Sequence, residues 1–110
     1  MSEPDEPTDQ NWERDFRHLR ETYRQKLRRE LATLEAHLNG ARNGDRGELE
    51  AARQMAHRLK GTSGSYELHE SSACLQRIED GIAELREAPA DPAALWTEIA
   101  AELERAIVAS

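Results

Sequence analysis

The residues of this chain best suited to chemistry lie in one run, His57-Arg58-Leu59-Lys60-Gly61-Thr62-Ser63-Gly64-Ser65-Tyr66. On a helical wheel Ala56, Leu59 and Ser63 share one face. His57, Lys60, Gly61 and Gly64 fall at i, i+3, i+4 and i+7, on a strip turned about 100° from Ala56. Arg53, one turn earlier, joins that strip. The spacing therefore predicts a solvent-accessible histidine on a helix flank, with a cation one turn away. An imidazole, whose ordinary pKa is ~6.5, offers a ring nitrogen as a nucleophile at neutral pH. An ammonium group beside it can pair with a phosphoryl group carried on that nitrogen. Each helix-interior glycine costs roughly 1 kcal/mol against alanine. Two of them on this strip leave room for another backbone to come down onto the imidazole. Nucleophile, cation and clearance on one face make a phosphoryl-accepting site.

Other chemistries fit less well. Gly61-Thr62-Ser63-Gly64 is similar to part of a phosphate-binding P-loop, but Lys60 precedes the glycine and no strand precedes the run. It also mimics the GXXG loop of RNA-binding KH domains, which needs strands and a basic surface. A metal site from His57, His69 and Cys74 would draw on two helices and need a carboxylate such as Glu70, so no metal ligands are assigned. His18, His37 and His69 have no comparable context.

The elements that must hold this strip are helical. No proline occurs between residue 8 and residue 88, and an interior proline would cost ~3 kcal/mol. Four apolar stripes recur at steps of three and four. The first is Trp12, Phe16, Leu19, Tyr23, Leu27, Leu31, Leu34 and Leu38; the second is Leu49, Ala52, Ala56, Leu59, Ser63 and Tyr66. The third is Leu68, Ser71, Leu75, Ile78, Ile82 and Leu85; the fourth runs through Leu95 or Trp96, Ile99, Leu103 and Ala106 or Ile107. Gly40, Gly44 and Gly47 punctuate the first link, and Asp45 with Glu48 reads as a capping box. Asp91-Pro92 sets an N-cap before a proline at the first helical position. The short second link makes its helices antiparallel neighbours. The fold expected is all-α, an antiparallel up-down four-helix bundle over residues 10–110. The first segment is longer than its partners, so it either overhangs or breaks near Arg17–Arg20 into a short extra N-terminal helix. Trp12, Phe16 and Tyr23 are expected in the core or at its end, and Cys74 half-buried beside the third stripe.

Composition narrows the class. The chain has 110 residues, room for one domain, and a net charge of −7. Residues 1–9 carry Glu3, Asp5, Glu6 and Asp9 with no basic residue, and are expected to be a disordered acidic tail. The remainder holds 18 acidic against 15 basic residues. Residues 13–30 hold seven basic and four acidic residues, whereas residues 67–104 hold ten acidic residues against Arg77 and Arg86. The simpler meaning is complementary helix faces; the functional one is attraction of an acidic partner. A lone cysteine excludes an internal disulfide and suits a reducing compartment. No apolar run nears the ~18 residues of a membrane span, and the N-terminus lacks a signal-peptide layout. An acidic chain is a poor nucleic-acid binder. A cytoplasmic, monomeric domain is expected, since stripes satisfied internally need no partner.

Ala56-His57-Arg58-Leu59-Lys60-Gly61-Thr62-Ser63-Gly64 resembles the A-H-x-L-K-G-[ST]-[SA]-[GA] signature of histidine-containing phosphotransfer (HPt) domains. The likeness extends to Leu75, Ile78 and Glu79, an altered form of the family's C/A-x-x-L-E run, and covers about residues 12–108. An exposed helix histidine is usually a plain flank residue; the wider match reverses that for His57. The resemblance implies that His57 takes a phosphoryl group from a receiver-domain aspartate and passes it to another receiver. Lys60 would support the phosphorylated state, with Arg53, Arg58, Gly61 and Gly64 providing receiver access and docking. In the family, surfaces along the N-terminal helices also meet the receiver, which implies that some of Trp12, Phe16 and Tyr23 are partly exposed for docking. The partners implied are receiver domains of response regulators or hybrid histidine kinases. The chain would be a phosphocarrier rather than an enzyme, with no cofactor of its own, the metal ion coming from the receiver. The alternative is a helical adaptor that binds receivers without carrying phosphate. The sequence departs from the family at Glu67, where glycine usually ends the helix, which predicts a longer or more helical turn. Ser71 also replaces a usual aliphatic residue.

Overall fold

A computed structural model describes residues 5–110, with side chains from Asn11 onward. Four α-helices follow in order: α1 (Asp5–Arg42), α2 (Arg46–Ser65), α3 (His69–Leu85) and α4 (Pro92–Ala109). Each packs on its successor, α4 returns to α1, and the diagonal pairs do not meet. This is the expected antiparallel bundle. The four stripes converge in its core. Leu27, Leu31 and Leu34 of α1, Ala52 and Ala56 of α2, and Leu75, Ile78 and Ile82 of α3 are fully buried, joined by Ile99, Leu103 and Ala106 of α4. Burying each large aliphatic side chain contributes about 1.5–3 kcal/mol. Cys74 is fully buried rather than half-buried, and burial pushes its thiol pKa up.

α1 does not break near Arg17–Arg20. It runs as one helix of 38 residues against 20 for α2, and the molecule measures 69 × 21 × 20 Å. The overhang has a cost in exposure. Tyr23 is buried as expected and Phe16 half-buried, but Trp12 and Leu19 are 64% and 52% exposed, outside the core assigned to them. The helix begins at Asp5, so residues 5–9 of the expected tail are helical; residues 1–4 lie outside the described residues.

The caps follow the sequence, with one change. Asp45 accepts from the Glu48 amide at 3.1 Å, and Asp91 from the Ala94 amide at 3.2 Å. The capping box is only half made, because the Glu48 carboxylate turns to His37 Nδ1 at 2.5 Å and ties α2 back to α1. Residues 66–68 alone separate α2 from α3. Glu67 adopts the left-handed region at φ 60°, as the usual glycine would. The Glu67 amide donates to Gly64 O at 3.0 Å and the Leu68 amide to Ser63 O at 2.9 Å, the double bond pattern of a Schellman cap. Leu68 is thereby turned into the core, 6% exposed. Backbone hydrogen bonding and the burial of Leu68 hold Glu67 there against its own steric preference.

A left-handed L-residue costs roughly 1–2 kcal/mol. Glu67→Gly is therefore expected to stabilise the bundle by about 1 kcal/mol, raising Tm by several degrees. Equal or lower Tm in thermal unfolding followed by circular dichroism would contradict this account of the turn.

Candidate functional site

His57 lies mid-way along α2, one helical step from the core residue Ala56. Its side chain is 63% exposed. The site is completed from α3, because the cap at Glu67 sets that helix antiparallel beside α2. His57 Nδ1 lies 2.9 Å from Glu79 Oε2. Lys60 Nζ donates to Glu79 Oε1 at 2.9 Å and to Gln76 Oε1 at 2.9 Å. Gln76 in turn donates to Asp80 at 2.9 Å. One carboxylate thus holds both the imidazole and the ammonium, one on each oxygen.

The consequence for the ring is definite. A carboxylate accepts, so the Nδ1 proton of the neutral imidazole points at Glu79 and the lone pair resides on Nε2. Nε2 has no hydrogen-bond partner among the described residues. The ring is therefore neither buried nor blocked at its outward nitrogen. At Glu79 burial works to raise the carboxyl pKa, but the hydrogen bonds from Lys60 and His57 outweigh it and the net shift is downward. Glu79 is then an anion at neutral pH.

The glycines differ in their surroundings. A Cβ at Gly61 would meet nothing within 4 Å, and one at Gly64 would only touch Ser72 Oγ at 3.6 Å. Neither is required by packing inside the molecule, so the space over them is outward clearance. Ser72 also donates to Lys60 O at 3.1 Å, fastening α3 to α2 beside the site.

The two arginines of the expected docking set are already engaged. Arg53 binds Glu50 through Nε and Nη2, the latter at 2.6 Å, and this holds the Glu50 carboxyl down to about 2. Arg58 points away from the His57 strip towards α1, where it meets Glu30 at 3.4 Å. Lys60 is brought to His57 through Glu79; Arg53 and Arg58 are not. Sequence reasoning named Glu79 only as part of a motif and missed Gln76 altogether. Two polar residues three apart on α3 were the available signal, but pairing them with α2 needs the interhelix register. Among the described residues no cluster of three or more His, Cys, Asp or Glu could hold a metal ion, and no helix is long and apolar enough to cross a membrane.

A family model for the Hpt domain matches residues 18–109. Hpt domains are phosphocarrier modules, and the four-helix fold agrees with that class. The chain belongs to the Hpt domain family, whose members work in phosphotransfer of two-component signalling. Neither a curated protein nor a solved structure matches the chain.

The depressed Glu79 carboxyl fixes the sign of its pH effect. Its contribution to stability is complete above the ordinary carboxyl value of 4.5 and is lost as pH falls through the lower folded value. Glu79→Gln should therefore be less stable than the parent at neutral pH, with the gap closing as pH falls below the ordinary carboxyl value of 4.5. Urea unfolding at a series of pH values reads this directly; a gap that holds or widens on acidification would sink it.

Proposed function

We propose that this chain is a phosphorelay intermediate whose His57 accepts a phosphoryl group from a receiver-domain aspartate and delivers it to a second receiver. The observation that carries the reading is the Glu79–His57 contact, which directs a lone pair outward from an exposed ring. Family membership supplies the partner class, receiver domains of response regulators or hybrid histidine kinases. A cytoplasmic location follows from those partners.

In the transfer, the Nε2 lone pair forms the P–N bond as the P–O bond to the receiver aspartate breaks. The aspartate leaves as a carboxylate with that electron pair. The ring gains positive charge, and the Glu79 carboxylate facing Nδ1–H offsets it. An imidazolium is also a good leaving group, so the same contact keeps the phosphoryl group transferable to the next carboxylate. Lys60, one turn away and held by the same Glu79, supplies positive potential for the phosphoryl oxygens. Gly61 and Gly64 admit the receiver, which brings the metal ion and acidic pocket. The chain contributes nucleophile, orientation and clearance, which suffice for a reaction governed by positioning and electrostatics.

Incubation with a phosphorylated receiver is expected to place acid-labile, base-stable phosphate on the wild-type chain and none on His57→Gln. A chain that binds the receiver yet never becomes labelled would instead be the non-catalytic adaptor. Glu79→Ala should keep the fold while slowing acceptance tenfold or more, about 1.4 kcal/mol at the transition state. An unchanged rate in rapid-quench transfer would remove Glu79 from the mechanism.

A further inference from the structure

Lys60 is held beside His57 more firmly than its own chemistry provides. A lysine ammonium is a point charge on a flexible four-carbon stem, free to turn its donors. Here the side chain is 24% exposed, and Nζ is fixed at two points on α3, Glu79 Oε1 and Gln76 Oε1, each at 2.9 Å. The first belongs to the carboxylate that also holds the imidazole. The second answers to nothing at His57. Gln76 is exposed, three positions before Glu79, and lies outside the apolar stripe of its helix.

Its neighbours fix which way the amide faces. An ammonium only donates and a carboxylate only accepts. Gln76 lies between one of each, its oxygen on Lys60 Nζ and its Nε2 donating to Asp80 Oδ1 at 2.9 Å. Turning the amide over would set N–H against an ammonium and C=O against a carboxylate. Asp80, one turn along α3, therefore keeps the Gln76 oxygen towards Lys60. Of the three ammonium protons, two are taken by Gln76 and Glu79, and the third is left in a direction the other two set. Among the described residues no other acceptor meets it. Gln76 also differs from Glu79 in charge. A second carboxylate would hold Lys60 as firmly but would cancel its charge where phosphoryl oxygens gather. An amide holds it without cancelling.

We propose that Gln76 is a positioning residue for the transfer, acting through Lys60 and itself oriented by Asp80. It holds the ammonium so that the third N–H meets an oxygen of the phosphoryl group bound for His57. The inference rests on the relay reading given above. Lys60 and His57 are neighbours on the strip that Gly61 and Gly64 leave open, which places a phosphoryl group on Nε2 within reach of that proton. The orientation is set before the receiver arrives, so its contribution appears in the transfer step rather than in docking.

Rapid-quench labelling by a phosphorylated receiver, over a range of receiver concentrations, tests this. Gln76→Ala, at an exposed position, should keep the helical circular dichroism of the wild type. Its saturating rate should fall about fivefold, the worth of one hydrogen bond, with the half-saturating receiver concentration unchanged. Gln76→Glu keeps an acceptor for Lys60 and would satisfy a merely structural anchor, yet it should also be slower than wild type. In a Lys60→Ala background, Gln76→Ala should cause no further loss. An unchanged saturating rate in Gln76→Ala overturns the proposal, as does a change confined to half-saturation. So does a Gln76→Glu chain as fast as wild type, or a Gln76→Ala loss of the same size with and without Lys60. A wild-type chain that takes no label overturns the relay reading itself, whereas a labelled wild type with an indifferent Gln76 overturns the positioning role alone.

Discussion

Everything distinctive about this molecule depends on one carboxylate shared across a helix interface. Glu79 is 18% exposed and accepts from His57 on one oxygen and from Lys60 on the other. Half-buried, it would resist ionisation, and the two donors reverse that. The same contact selects which ring nitrogen keeps its lone pair. Orientation of the His57 ring and docking of α3 on α2 are therefore a single interaction. Its register rests on the Schellman cap, which turns the chain within three residues and sends Leu68 into the core.

The charge distribution takes on meaning once the helices are placed. The basic first helix meets α4 where Arg24 and Arg28 reach the carbonyls of Ala109 and Ser110, and Arg58 of α2 pairs with Glu30 of α1. Such exposed pairs each contribute little, at most about 1 kcal/mol. Their value is in the order of packing. Helices that could exchange places on hydrophobic grounds are distinguished by which charges they would bring together. Arg53 is engaged with Glu50 of its own helix.

Much of the fold was legible because helical periodicity is a local property. The stripes through Leu27, Leu31 and Leu34, through Ala56 and Leu59, and through Leu75 and Ile78 all reach the core, and Asp45 and Asp91 cap where their types require. The misreadings share one cause. Trp12 and Leu19 continue the stripe, yet whether a stripe is buried depends on how far the neighbouring helices extend. Gly81 carries no local signal, yet a Cβ there would come within 2.8 Å of Ile99 Cγ1, so it sets how closely α3 and α4 approach. Glu67 takes the glycine conformation because two amides and a buried leucine outweigh the preference of one residue.

The sequence by itself determined the helices, their order and the flank on which His57, Lys60, Gly61 and Gly64 stand, because these follow from spacing along one helix. Tertiary structure alone decided that Glu79 faces both His57 and Lys60, that Arg53 and Arg58 are engaged elsewhere, and that α1 outruns its neighbours. Those outcomes compare residues far apart in the chain, 22 positions in the case of His57 and Glu79. Nothing in either segment fixes their separation until buried side chains set the register between the helices.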